Sequence, residues 1–351
     1  MLTGNKGEWS ELYVLLKLLG DGRIHAADEY LKKIEKIYFP ILKVIRNKTE
    51  YKIETDSKVQ IYVNDTLVKE LPRSDFVAQA KFLHSKIIIG GSRSFTIQET
   101  QDFMQQIFCN EIKAQSNDKT DIKVQIHDIQ TGYQPVCGFS IKSELGSSPT
   151  LINATGATNF VYEVKGLTDE QIKEINSIET STKIIDRMKK IYELANDVSF
   201  VGINNKIFTE NLMLIDSRMP ELLAYALIYH YRDKLGTCQE VVDKLSHEDP
   251  LEINIANFYS HKFKKLLCAT ALGMKPAKEW SGEDEANGGY IVVTKTGDVL
   301  AYHIYNRDFF EKYLLKNTKF ERASTARHGY ASLYTENGRI FIKLNLQIRF
   351  N

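Results

Sequence analysis

Two short runs of alternating apolar and polar residues, separated by a turn signal, constrain this chain more than any other feature. In Thr120–His127 the apolar positions are Ile122, Val124 and Ile126, and in Val136–Lys142 they include Phe139 and Ile141. Period-two alternation marks half-buried strands. Gln130-Thr131-Gly132-Tyr133 lies between the runs and reads as the turn of a hairpin. Closing the hairpin about that turn places Asp121 opposite Lys142, with Ser140 one polar position along, all on the non-apolar face. The rival acid Asp128 shares the parity of Ile122, Val124 and Ile126. It is therefore expected to point with the core or to cap the turn.

An acid that begins one strand and a lysine that ends its partner are the parts a metal-dependent phosphodiesterase needs. Hydrolysis of a phosphodiester requires a divalent cation, a nucleophilic water and stabilisation of the leaving oxygen. Asp121 supplies a hard oxygen ligand suited to Mg²⁺. Lys142 is placed to hold the water beside the phosphate and offset developing negative charge. A glutamate on a nearby helix completes such sites, and Gly7-Glu8-Trp9-Ser10-Glu11 offers Glu8 and Glu11, of which Glu11 is preferred. Spacing alone is weak support, because 45 acids and 46 bases among 351 residues place an acid upstream of almost any lysine. The shared face is what raises the pair above that background.

Composition narrows the class without choosing a function. The chain is 43% hydrophobic and 26% charged, as expected of an ordinary soluble globular protein able to bury a substantial core. The start is polar and no long apolar run follows, so neither a signal peptide nor a membrane span is expected, and a cytoplasmic location is. Cys109, Cys137, Cys238 and Cys268 stand far apart, without zinc-ligand spacing, and are expected to stay reduced. The eight histidines form no HNH-like or HExxH cluster. Net charge is only +1, yet Lys312–Asn351 carries eight basic residues against Glu321 and Glu336. A near-neutral chain with one basic end is compatible with a DNA partner gripped locally.

The coarse reading is a mixed α and β protein in three consecutive segments, 1–166, 167–274 and 275–351. Helices are expected over Glu8–Leu19, Asp28–Ile37 and Gln98–Phe108, the last with Glu99 in capping-box position. Short strands are expected over residues 41–70, with Asn64-Asp65 as a hairpin tip, and over Lys86–Ile89. A strand near Phe160–Val164 leads into a helical middle that starts at Thr168 and continues to Leu194. Further helices are expected over Met219–Leu235, Cys238–Leu245 and Ile255–Leu272. Lys275–Gly289 is the linker candidate. The β-rich end comprises Tyr290–Thr294, Val299–His303 and a terminal hairpin of Ala331–Tyr334 with Arg339–Phe350.

Three stretches resemble one family in the family's own order. They are Thr3–Glu11; Gly138–Ser143 with Leu145-Gly146-Ser147 and Pro149–Ala154; and Lys343–Phe350. Together they are similar to the HpaII family of type II restriction endonucleases across nearly the whole chain. The resemblance implies a PD-(D/E)xK-type nuclease core, Mg²⁺ dependence, double-stranded DNA as substrate and a short palindrome of the CCGG kind. A DNA methyltransferase of the same system is the expected functional partner, and a palindromic site admits a homodimer, with monomer or dimer left open. Ser140 departs from the wider nuclease pattern, which has Asp or Glu two positions before the lysine. A neutral hydroxyl removes one negative charge, which leaves Glu11, Glu144 or Glu163 to make up the deficit, or DNA phosphate to complete the site.

A CCGG-type target offers guanine O6 and N7 acceptors, best met by Arg or Lys. Arg327 is the preferred base reader, with Arg322 and His328 beside it in the run before the terminal hairpin. Lys343, Asn345, Gln347 and Arg349 alternate with apolar residues and are expected to share one polar face. Asn153, Thr155 and Asn159 follow the hairpin and are candidates for groove or backbone contacts, while Gly90–Ser94, with no GxGxxG or P-loop pattern, reads first as a turn and second as a phosphate contact. Two other classes stay open: a DNA-binding relative that has lost catalysis, and a metal-dependent nuclease without site preference.

Overall fold

A computed structural model of the chain describes residues 1–55, 57–113, 120–129, 131–303 and 307–351, with every side chain among them except those of Thr55, Ala326 and Arg327. The chain packs into two compact units, each assembled from separated stretches. One comprises Met1–Pro149 and Asp284–Tyr313, the other Thr150–Glu283 and Leu314–Asn351.

Among the described residues the first unit holds a nine-stranded sheet in the order β1-β12-β11-β7-β6-β2-β3-β4-β5. These strands are β1 (Arg23–Ala27), β2 (Lys33–Arg46), β3 (Thr49–Thr55), β4 (Lys58–Val63), β5 (Thr66–Pro72), β6 (Ile122–Ile126), β7 (Val136–Ser143), β11 (Gly289–Val293) and β12 (Val299–His303). Helices α1 (Lys6–Asp21), α2 (Arg73–Ile89) and α3 (Gln98–Gln106) belong to the same unit. Helix α1 starts with a capping box, Asn5 accepting from the Glu8 N–H and Glu8 from the Asn5 N–H, and stops at Gly22, whose φ is 65°. Leu12, Leu15, Leu16 and Leu19 of α1 join Ile122, Val124, Phe139 and Ile141 in one core cluster. The apolar faces of helix and hairpin thus bury each other, and the Ser10 hydroxyl donates to Ser143 at 2.8 Å to set α1 against β7.

In the second unit β9 (Asn159–Lys165) and β15 (Arg339–Asn345) form the middle of a four-stranded sheet, flanked by β10 (Asp197–Ile203) and β14 (Leu333–Glu336). A three-stranded sheet orders β13 (Thr318–Phe320), β16 (Ile348–Phe350) and β8 (Thr150–Ile152). Helices α4 (Asp169–Asn176), α5 (Lys183–Leu194), α6 (Lys206–Ile215), α7 (Met219–Asp233), α8 (Cys238–Glu248) and α9 (Phe258–Leu272) make up its helical part. Helix α10 (Arg307–Lys316) and the short α11 (Thr325–His328) complete the described elements. The four cysteines are free and buried. Among the described residues no helix is long and apolar enough to cross a membrane.

Several expectations are corrected. Residues 28–37 are not helical: Asp28 accepts from the N–H groups of Tyr30 and Lys32, each at 2.9 Å, and this turn sends β2 back along β1. Lys86–Ile89 is the last turn of α2 rather than a strand. Its apolar stripe is Phe76, Ala80, Leu83 and Ile87, a helical spacing that leaves Ile88 and Ile89 exposed. Helix α3 has Ile97 at its N-cap and no side-chain cap, so Glu99 closes no capping box. The helix expected from Thr168 to Leu194 is two helices, α4 and α5. The three consecutive segments also do not coincide with the two units, because β11 pairs with β7 in the first unit while β15 pairs with β9 in the second.

Candidate active site

The hairpin forms as β6 and β7, but in a tighter register. Ile122 pairs with Phe139 and Val124 with Cys137. Asp121 therefore lies beside Ser140, not opposite Lys142. The loop explains the shift. The Asp128 N–H donates to the Tyr133 carbonyl at 2.8 Å, and the Thr131 hydroxyl donates to the Asp128 carboxylate at 2.6 Å. Asp128 thus caps the turn. Gln130, part of the expected turn, lies outside the described residues.

One oxygen of Asp121 receives two donors from β7. The Ile141 N–H reaches it at 2.6 Å and the Ser140 hydroxyl at 3.2 Å. Ser140 is buried, so its hydroxyl has been desolvated to make this contact. Lys142 follows on the same face of β7, half-buried, its ammonium 5.7 Å from the centroid of the Tyr290 ring. Lys142 has no acidic partner among the described residues.

A cleft of about 750 Å³ opens at the end of β7. Glu8, Glu11, Ser92, Ile141, Lys142 and Ser143 are among its lining residues, so Glu11 and Lys142 face one cleft. Asp121 is not in the lining but binds Ile141, which is. Glu8 is committed elsewhere: its carboxylate accepts from the Asn5 N–H at 2.9 Å and from Lys113. Burial alone would raise the Glu8 carboxyl, yet those two donors outweigh it and the net shift is downward. Glu11 reaches towards Arg46, with 4.0 Å between Oε2 and Nη2. Neither Arg46 nor Lys113 was singled out from the sequence. Arg46 was legible in principle, as a charged residue closing an apolar strand. Of the other acids considered, Glu163 is ion-paired with Arg339 on β15, and Glu144 accepts from the Lys295 N–H at 3.2 Å. Among the described residues no group of three or more His, Cys, Asp or Glu is arranged to hold a metal.

The candidate DNA-reading residues divide. Arg322 and Asn153 are exposed and His328 is half-buried. The Arg327 side chain lies outside the described residues. Asn345 and Asn159 are buried and spend their amides internally. Asn345 Nδ2 donates to the Thr155 carbonyl and to Asn159 Oδ1, while Asn159 Nδ2 donates to the His328 carbonyl at 2.9 Å. Their place is to tie α11 to β9 and β15. The single polar face expected of Lys343, Asn345, Gln347 and Arg349 does not form. The terminal strand breaks after Asn345, where the Leu346 N–H donates to the Thr158 carbonyl, and its two halves enter different sheets. Lys343 stands over the Tyr334 ring, the Gln347 carbonyl accepts from the Glu321 N–H, and Arg349 is ion-paired with Glu321 at 2.8 Å.

The family model described as HpaII restriction endonuclease matches residues 5–350. The type II restriction enzyme HpaII of Haemophilus parainfluenzae is 40% identical over 356 residues, covering 99% of this chain and 98% of that protein. No solved structure matches the chain.

Proposed function

Because the chain belongs to the HpaII restriction endonuclease family, we propose that it is a type II restriction endonuclease that hydrolyses phosphodiester bonds of double-stranded DNA at a short GC-rich palindrome of the CCGG kind. The observation that carries the reading is the hairpin: Asp121 is locked on the Ile141 N–H, one residue before Lys142, beside a cleft that Glu11 also lines.

The donor chemistry fits Mg²⁺. Asp121 and Glu11 offer hard oxygens, whereas the four thiols are buried. Mg²⁺ is commonly held by one or two carboxylates with water and substrate phosphate, so a cage of three acids is not required. Bound there, the ion supplies Lewis acidity at the scissile phosphate. Asp121 and Glu11 would hold it, and the two β7 donors keep the Asp121 carboxylate in place. Lys142 Nζ donates to the attacking water and to a non-bridging phosphate oxygen, where negative charge grows as the bond to water forms. Ser140, a neutral donor to Asp121, replaces the acid usual at its position. Arg327 and Arg322 are the base readers in this reading, and a palindromic target calls for two copies of the chain. A methyltransferase of matching specificity protects the host DNA.

The test is incubation with unmethylated plasmid, with Mg²⁺ or with EDTA, followed by sequencing of the ends. Discrete Mg²⁺-dependent ends at one palindrome are expected. Asp121→Ala and Lys142→Ala are each expected to abolish cleavage while DNA binding persists in a gel shift. Full cleavage by Asp121→Ala would remove it from the metal site. Specific binding without cutting by the unaltered protein would instead mark an inactive relative, and heterogeneous ends a nuclease without site preference.

A further inference from the structure

Position 46 is built to take an apolar side chain. β2 carries Phe39 and Ile41 into the core, shifts phase at the irregularity between Ile41 and Lys43, and then buries Val44. Alternation assigns the next inward position to residue 46, the last of the strand. It holds arginine, and that arginine is only 5% exposed. Its Nε and Nη2 atoms are buried without a hydrogen-bond partner. A buried guanidinium with two unmet donors is costly unless a charge nearby uses it. The carboxylate it approaches is Glu11, at 4.0 Å, itself 17% exposed and lining the cleft with Lys142. That separation is too long for a hydrogen bond, so the attraction is coulombic in a poorly solvated setting.

We propose that Arg46 is a positioning residue of the cleft: its sealed guanidinium holds the Glu11 carboxylate from behind and balances its charge, so that Glu11 presents to the cleft in one orientation. The catalytic part of this inference rests on the reading of Glu11 as a metal ligand. A purely structural residue here would be apolar, as Val44 is one step earlier. Partners behind a ligand commonly fix its orientation and are worth roughly 10–100-fold in metal affinity or activity. Arg46 touches no substrate and acts through Glu11 alone. Lys113, which pairs with Glu8, adds a second positive charge within reach of Glu11.

The experiment compares the unaltered protein with Glu11→Gln, Arg46→Met and the double variant, with Arg46→Lys as the conservative control. Thermal midpoints are first measured in EDTA. Glu11→Gln is expected to lower the midpoint markedly when Arg46 is present, because the guanidinium loses its counter-charge, and to have little effect in the Arg46→Met background. Cleavage is then followed against Mg²⁺ concentration. Arg46→Met is expected to lower kcat at saturating Mg²⁺ roughly tenfold or more, with the double variant no worse than Glu11→Gln alone and partial recovery in Arg46→Lys. Additive thermal shifts, or unchanged kcat in Arg46→Met, would overturn the proposal. Full activity in Glu11→Gln would instead overturn the metal-site reading and the catalytic half of the proposal with it; the thermal cycle in EDTA would still decide whether Arg46 holds Glu11.

Discussion

His303 and His230 are each 2% exposed, and burial pushes both imidazoles down to about 4. His303 lies between the rings of Phe39 and Phe139, and Asp128 pulls it only partly back up. His230 packs against Phe320, with the Leu235 carbonyl as the opposing influence. Both are neutral in the folded chain where the unfolded chain is already protonated. Stability contributed by keeping them neutral is therefore present above the ordinary histidine value near 6.5 and is lost as pH falls from there towards 4. At about 1.4 kcal/mol per pH unit, the loss is of the order of 3 kcal/mol for each. Urea midpoints at pH 7.5 and pH 5 are expected to show it. His303→Phe, which keeps the ring packing, is expected to flatten the dependence; an unchanged slope would place its origin elsewhere. This chemistry was hidden in the sequence, where a histidine inside a strand carries no mark of whether its ring is wet or dry. Ser140 and Lys142 were legible because parity alone puts them on one face. Their alignment with Asp121 was not, because a single capped loop residue, Asp128, moves the register.

At the scale of elements, legibility followed the strength of the local pattern. Helix α1 could be read from its leucine stripe and its glycine stop, and the strands β3, β4, β11 and β12 from alternation and turns. The first half of β2 could not, because a lysine-rich start with helical propensity is overruled by pairing with β1. The end of α2 was misread because three consecutive isoleucines suggest a strand, while the stripe that decides the matter begins earlier, at Phe76. One short element matters to the site beyond its length. Gly289 opens β11 with φ of 105°, pairs with Phe139 of β7, and leaves no room for a side chain: a Cβ would stand 2.0 Å from the Tyr302 carbonyl oxygen. Gly289→Ala is expected to destabilise the protein by roughly 2–4 kcal/mol, from strain plus lost ladder bonds. Chemical denaturation measures this directly, and a change under about 0.5 kcal/mol, the range of ordinary surface substitutions, would show that β11 tolerates the side chain.

At the scale of the molecule, neither unit is continuous in sequence. The candidate site is carried by α1, β6 and β7, yet β7 is bordered by β11, which is made almost 150 residues later. A fragment of residues 1–166 lacks both β11 and β12, which stand between β7 and β1 in the sheet. Such a fragment is expected to lack a cooperative unfolding transition and dispersed amide resonances, although its division looked natural in the sequence. Polar stretches such as Lys275–Gly289 mark linkers in a sequence, whereas pairing between remote strands leaves no compositional trace. A fragment that melts cooperatively would show that the first stretch is a domain by itself. The same threading bears on how relatives of this chain diverge. The chain passes between its units near residues 149, 283 and 313. A single recombination event therefore cannot exchange one unit whole between two genes. A hybrid joined at one point mixes its parents within at least one unit, whose sheets then pair strands from two sources.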